Sequence, residues 1–228
     1  MRELVPRASC RVPRGGAEKR TPLSLLVALL WWAPVIASAA EYAIQPESSE
    51  FVVRLYKAGI GSALAHDHVV RATRFSGTVM ADDGNPGMAS VQAAVQADSL
   101  RADEPEMRRK HRLSGELSEK DRREIQSSMM GQRQLDAARF PTITFRSVSV
   151  QPEGTGRAVI TGDFTLHGTT RRVTFPATVQ LSGDSLHATG SFDFNQTDFG
   201  IQPYSAFLGA VRNQDRVTLI FDVQATRR

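Results

Sequence analysis

Val159-Ile160-Thr161-Gly162-Asp163-Phe164-Thr165-Leu166 alternates strictly, with Ile160, Gly162, Phe164 and Leu166 on one side and Val159, Thr161 and Asp163 on the other. A period of two over this length marks a strand with one face buried. The same period extends along most of the chain. Upstream, Phe51, Val53 and Leu55 alternate with Val52, Arg54 and Tyr56. Ile143 and Phe145 alternate with Thr142, Thr144 and Arg146, and Val148 and Val150 continue. Downstream, Leu186, Ala188, Gly190, Phe192 and Phe194 share one face, as do Val217, Leu219, Phe221 and Val223. Turn signals separate these runs at 83–87, 152–156, 167–169 and 182–184, each containing glycine. Eight or nine half-buried strands joined by short links predict an antiparallel barrel or sandwich.

One stretch breaks the alternation. Residues 103–138 are highly charged, and the period of two disappears. Ser118 with Asp121 three residues on reads as a capping box. Leu113, Leu117, Ile125 and Met129 fall at helical spacings, and Gly115 divides two short helices. Residues 104–137 are therefore expected to form a helical insertion that covers a barrel end with its mixed-sign charges in solvent. A lid or partner-binding helix is the alternative.

Charge is unevenly spread. The chain has 28 Lys plus Arg against 24 Asp plus Glu, and a pI near 9.6. Six basic and two acidic residues lie within 1–39, which accounts for the whole excess of +4. The remainder is formally neutral, and its Arg pairs at 171–172 and 227–228 are too sparse for a nucleic-acid surface. Within that leader a basic region is followed by an apolar run over 23–36 and then by Ala37-Ser38-Ala39. That is the layout of a secretory signal peptide, and the run is shorter than the roughly 20 residues a spanning helix needs. Residues 1–39 are expected to be a cleaved signal peptide, with cleavage after Ala39 or Ala40. Residues 40–228 are then a periplasmic or secreted domain. The one cysteine, Cys10, falls in the leader, so neither a disulfide framework nor a multi-cysteine metal site is expected.

Five short blocks, in order, carry a family resemblance. Phe75-Ser76-Gly77-Thr78-Val79 and Ala97-Asp98-Ser99-Leu100 come first. Phe140-Pro141-Thr142-Ile143-Thr144-Phe145-Arg146-Ser147 follows, then the run from Gly162 through His167-Gly168 to Val173, then Asp198-Phe199-Gly200-Ile201. Together they resemble the YceI-like family across about residues 42–226. The resemblance implies an all-β, lipocalin-like antiparallel barrel of about eight strands with a helical element after the fourth. It also implies a non-enzymatic carrier of a polyisoprenoid, isoprenoid quinone or other long-chain lipid. The chain departs from the family pattern at Gln196, where Arg is usual, and at the histidine pair of His66-Asp67-His68.

Phenylalanine is the abundant aromatic, and it has no polar group to satisfy in a dry cavity. Phe51, Phe75, Phe145, Phe164, Phe192, Phe194 and Phe221 are the candidates for lining such a cavity. His66, His68, Asp198 and Arg212 are the candidates for holding a ligand's head group at the mouth. On a strand His66 and His68 would point to one face, so a metal- or haem-linked redox accessory role centred on them is the alternative. No resident cofactor is expected. An Asp-Phe-Gly triplet without a glycine-rich nucleotide loop reads as a turn, with Phe199 plugging the barrel end. Neither a nucleophile elbow nor a cysteine outside the leader is present, which argues against a hydrolase. The expected partners are an apolar lipid and, transiently, a membrane; a homodimer is compatible with the same reading.

Overall fold

The computed structural model describes residues 39–61, 65–82 and 85–228. The expected leader, apart from Ala39, lies outside the described residues. Twelve strands and two α-helices follow in chain order: β1 (Ala40–Ile44), β2 (Glu50–Ala58), β3 (His68–Ala72), β4 (Phe75–Ala81), β5 (Ser90–Gln96), β6 (Leu100–Ala102), α1 (Pro105–Lys110), α2 (Glu119–Met130), β7 (Thr142–Pro152), β8 (Arg157–Leu166), β9 (Thr169–Ser182), β10 (Ser185–Asn195), β11 (Ser205–Ala206) and β12 (Val211–Arg227). Every pairing is antiparallel.

The first six strands are three long ones bent at corners. β1 and β2 meet at a short 3-10 turn over Pro46–Ser48, and β5 and β6 at another over Ala97–Ser99. β3 and β4 join directly, and β1–β4, β2–β3, β4–β5 and β3–β6 pair across the corners. Ser99, fully buried, pins two corners together. Its hydroxyl donates to the Gln96 carbonyl (2.7 Å) and accepts the Arg74 N–H (3.1 Å). Counted this way, eight strands run up and down in sequence order. The 17-residue β12 pairs with β10 on one side and with both β2 and β1 on the other. The β1–β12 pairing closes the barrel.

The helical insertion follows the third of these long strands, not the fourth. Ser118 caps α2 by the expected box, its Oγ accepting the Asp121 N–H at 3.1 Å. Ile125 and Met129 turn inward from α2 onto the barrel core. Leu113 and Leu117 do not continue their stripe, because both lie in the irregular link before the cap. The Gln126 carboxamide bonds the edge of β6 as a neighbouring strand would. Oε1 accepts the Ala102 N–H and Nε2 donates to the Leu100 carbonyl, both at 2.8 Å. The helix thus covers an edge that β7, which pairs only with β5 and β8, leaves free.

Two local features explain motif residues. His167 and Gly168 both have positive φ (51° and 71°), the requirement of the two-residue hairpin turn between β8 and β9. Val148 is the extra residue of a bulge in β7 and is 55% exposed, so Val150 regains the inner face that Ile143 and Phe145 occupy. Gly162 faces Phe145, and a Cβ there would stand 2.4 Å from the ring and 2.7 Å from the Arg146 carbonyl oxygen. Gly162→Ala is expected to cost about 1–3 kcal/mol of stability, read as a lower urea midpoint at unchanged slope.

Candidate functional site

The inward positions of all eight long strands enclose a cavity of about 260 Å³. Its wall is aliphatic and aromatic. β2 contributes Phe51, Val53 and Leu55, β5 contributes Val91, Ala93 and Val95, and β12 contributes Val217, Leu219, Phe221 and Val223. Among the described lining residues only Gln134, Thr144 and Gln196 are polar. All three belong to the end capped by α2: Thr144, of outward parity, is the third residue of β7, Gln196 follows β10, and Gln134 follows α2. The opposite end closes on Tyr42, 2% exposed, whose hydroxyl donates to the Gly183 carbonyl at 3.2 Å. The space is therefore amphipathic along its length, dry at one end and polar at the other.

Phe51, Phe145, Phe164, Phe192, Phe194 and Phe221 line this space, as does Phe175. Phe175 stacks on Phe192 with ring centroids 4.9 Å apart. It shares the inward parity of β9 with Val173, so alternation alone could have found it. Phe75 does not border the cavity. It lies edge-on behind Phe51 at 4.9 Å, buried in the core. Phe199 is 1% exposed and plugs the polar end with Ile201, and Gly200 takes the left-handed conformation that ends the turn (φ 73°).

None of His66, His68, Asp198 and Arg212 borders the cavity. Arg212 is on the exposed face of β12, beside Ser205 of β11. Asp198 lies in a groove on the outside of the barrel wall. His66 abuts Gly115 in the link between the helices. His68 is at the rim, with Nδ1 2.6 Å from Asp103 Oδ2. The carboxylate there is an acceptor, so Nδ1 carries the proton. Among the described residues no three His, Cys, Asp or Glu side chains are grouped to hold a metal ion.

Asp103 and Arg108 account for the position of His68, and sequence spacing gave no signal of them. Asp103 is fully buried and also accepts the Val69 N–H (3.2 Å) and Arg108 Nη1 (2.8 Å). Arg108 reaches on to the carbonyls of Asp67, Ser114 and Gly115. One buried ion pair thus binds α1 and the link after it to the start of β3. Burial opposes ionisation of Asp103, but the bonds from His68, Arg108 and the Val69 N–H outweigh it, and its carboxyl is held below the usual range. The polar end of the cavity is instead supplied by Gln196. It is 5% exposed, and its Nε2 donates to the Gln214 carbonyl at 2.8 Å. A neutral carboxamide at this position adds polarity without burying a charge.

A closed eight-strand antiparallel barrel around an apolar cavity defines a lipocalin-like barrel by architecture. The chain belongs to the YceI family: the YceI-like domain model matches residues 42–225. A UPF0312 protein of Shewanella sp. strain MR-7 is 31% identical over 191 residues, covering 81% of this chain and 88% of that one. Burkholderia cenocepacia BcnA matches in structure with a TM-score of 0.61 at 19% identity, over 80% of this chain and 99% of BcnA. A polyisoprenoid binding domain from Saccharophagus degradans, implicated in plant cell wall breakdown, matches with a TM-score of 0.55 at 11% identity, over 83% and 99%. At those identities the two structures attest the fold.

Asp103 has a lower pKa folded than unfolded, so its ionised form stabilises the fold above the unfolded value of about 4, and that stability is lost as pH falls through the folded pKa. Asp103→Asn is expected to cost about 3–5 kcal/mol at neutral pH, because Arg108 stays buried beside an uncharged partner. The variant's urea midpoint should also fall less steeply than the parent's between pH 5 and pH 2, roughly the span over which such a carboxylate titrates.

Proposed function

We propose that this protein is a carrier or store for a polyisoprenoid, isoprenoid quinone or other long-chain lipid, held with its tail in the barrel cavity. The observation that carries this reading is the lining: a closed barrel encloses aliphatic and phenylalanine side chains, with polar groups at one end only. A dry apolar cavity of this kind has little to offer a polar ligand and much to offer a hydrocarbon chain. Each buried methylene contributes about 0.8 kcal/mol, so roughly ten of them match the 8 kcal/mol of micromolar binding before ordering costs. The Saccharophagus degradans domain of like fold, described as polyisoprenoid binding, supports the same class of ligand. The reading includes export. The basic, apolar and small-residue leader over 1–39 suits a protein that works in the periplasm or outside the cell.

Native mass spectrometry of the purified protein, beside elemental analysis, tests the reading. The expected result is a co-purified lipid mass with no stoichiometric metal. Stoichiometric zinc, copper or iron lost on replacing His66 and His68 by Ala would overturn it. A cavity-filling variant supplies the control: Ala188 lines the space, and Ala188→Phe puts a ring into it. Uptake of a prenyl probe should fall by at least about tenfold, the equivalent of losing two buried methylenes, without a lower thermal midpoint.

A further inference from the structure

The barrel wall is not zipped along its full height. β9 and β10 pair from Ser182↔Ser185 up to Gly190↔Ala177, and the pairing stops there. Above that point β9 remains paired with β8 through Thr169, and β10 remains paired with β12 through Asn195. The two strands therefore diverge as the arms of a fork. The cause is legible in the register. Ser182 and Ser185 flank a two-residue turn and form a hydrogen-bonded pair, so 180, 178 and 176 also direct their backbone groups at β10. The next such pair would be Pro176 with Ser191, and proline has no N–H to donate.

The fork is filled by side chains. Phe192 and Phe194 line both the inner cavity and an outer groove of about 420 Å³, where they meet Val173 and Phe199. Phe192 stacks on Phe175, and Phe194 packs edge-on to Phe164 and Phe199, with centroids 4.9–5.5 Å apart. Rings can swing aside by rotation about side-chain bonds, whereas a zipped wall would have to break backbone hydrogen bonds. The groove's charges are mostly engaged. Arg172 pairs with Asp163 (2.7 Å) and Arg216 with Asp193. Asp198 faces the groove from the plug. Arg171 shares the inner-face parity of Val173 and Phe175, yet it is exposed, and among the described residues its hydrogen bond goes only to the Thr170 carbonyl (3.3 Å). It is a cation beside an apolar doorway with donors to spare.

We infer that the fork between β9 and β10 is a lateral portal for a single-tailed lipid, and that Arg171 receives the acidic oxygen of the head group that stays outside. The inference rests on the lipid-carrier reading and adds a route and a head-group site to it. The tail passes between Phe192 and Phe194 into the cavity, and the guanidinium pairs with a phosphate or carboxylate at the outer edge. On this route the end capped by α2, where Gln134 Nε2 donates to the Gln202 carbonyl (2.8 Å), need not open.

Locking each route separately tests this. In a Cys10→Ser background, introduced thiols are the only ones in the chain. Thr174→Cys with Asp193→Cys places one thiol on each arm of the fork, and Arg133→Cys with Gln202→Cys places a pair across the capped end. A flexible bifunctional methanethiosulfonate links each pair and is removed by reduction. Uptake of a fluorescent prenyl probe, followed by stopped flow, should slow at least about tenfold when the fork is linked and recover on reduction; linking the capped end should change it less than about twofold. Slowing by the capped-end link, or none by the fork link, overturns the portal. If no unlinked protein takes up the probe, the carrier reading itself fails and the portal falls with it. For the head group, Arg171→Gln should weaken binding of geranylgeranyl phosphate about tenfold and leave geranylgeraniol within about twofold, the difference a charge-assisted bond makes. Equal losses for the two lipids, or no loss for either, overturn the assignment of Arg171.

Discussion

The structure depends on β12 having a hydrogen-bonding partner on both sides. Its 17 residues pair with β10 along one edge, and with β2 and then β1 along the other. That closure removes most edges of the sheet, so strand backbones need little from the interior. An interior freed of that duty can be lined almost wholly by carbon. Apolar strand faces, an enclosed space and polar atoms confined to one end all follow from it. Where closure lapses, the molecule supplies a local substitute. Gln126 plays the missing strand beside β6, and phenylalanine rings fill the gap above Pro176.

Polar chemistry is accordingly pushed to the rim. The fully buried carboxylate of Asp103 serves to anchor α1 and the link after it, and its partners His68 and Arg108 are held there with it. A histidine two residues from another reads as a ligand pair on an isolated strand. Here a carboxylate from the far side of the β3–β6 pairing takes one of them first. Inside the barrel, neutral side chains (Gln134, Gln196) provide the polarity, which avoids placing an unpaired charge in low dielectric.

Alternation exposed most of the fold, because a period of two is a direct record of which side of a strand is buried. It read β8 over 159–166, β10 over 186–194 and β12 over 217–223. It could not read Val148, where one inserted residue shifts parity, or Phe75, whose inward position is screened by Phe51. The block around Ser99 is a corner that local sequence did not announce: β5 ends at Gln96, a 3-10 turn follows, and β6 resumes at Leu100. Six of the seven phenylalanines chosen for the cavity border it, and none of the four head-group candidates does. Apolar positions are dictated locally by the pleat, whereas polar positions depend on which distant group arrives as partner.

Local information in the chain therefore specifies strands, turns, the cap of α2 and the apolar character of the interior. Each of these is decided by neighbours within a few residues. The tertiary structure alone decides closure through β1 and β12, about 180 residues apart, and the pairing of His68 with Asp103. It also decides that the space inside stays open, since that depends on the volumes of side chains from eight strands meeting at one axis. The fork lies between the two cases. Pro176 announces in the sequence that a donor is missing, but only the register of β9 against β10 shows which bond is lost and which wall it opens.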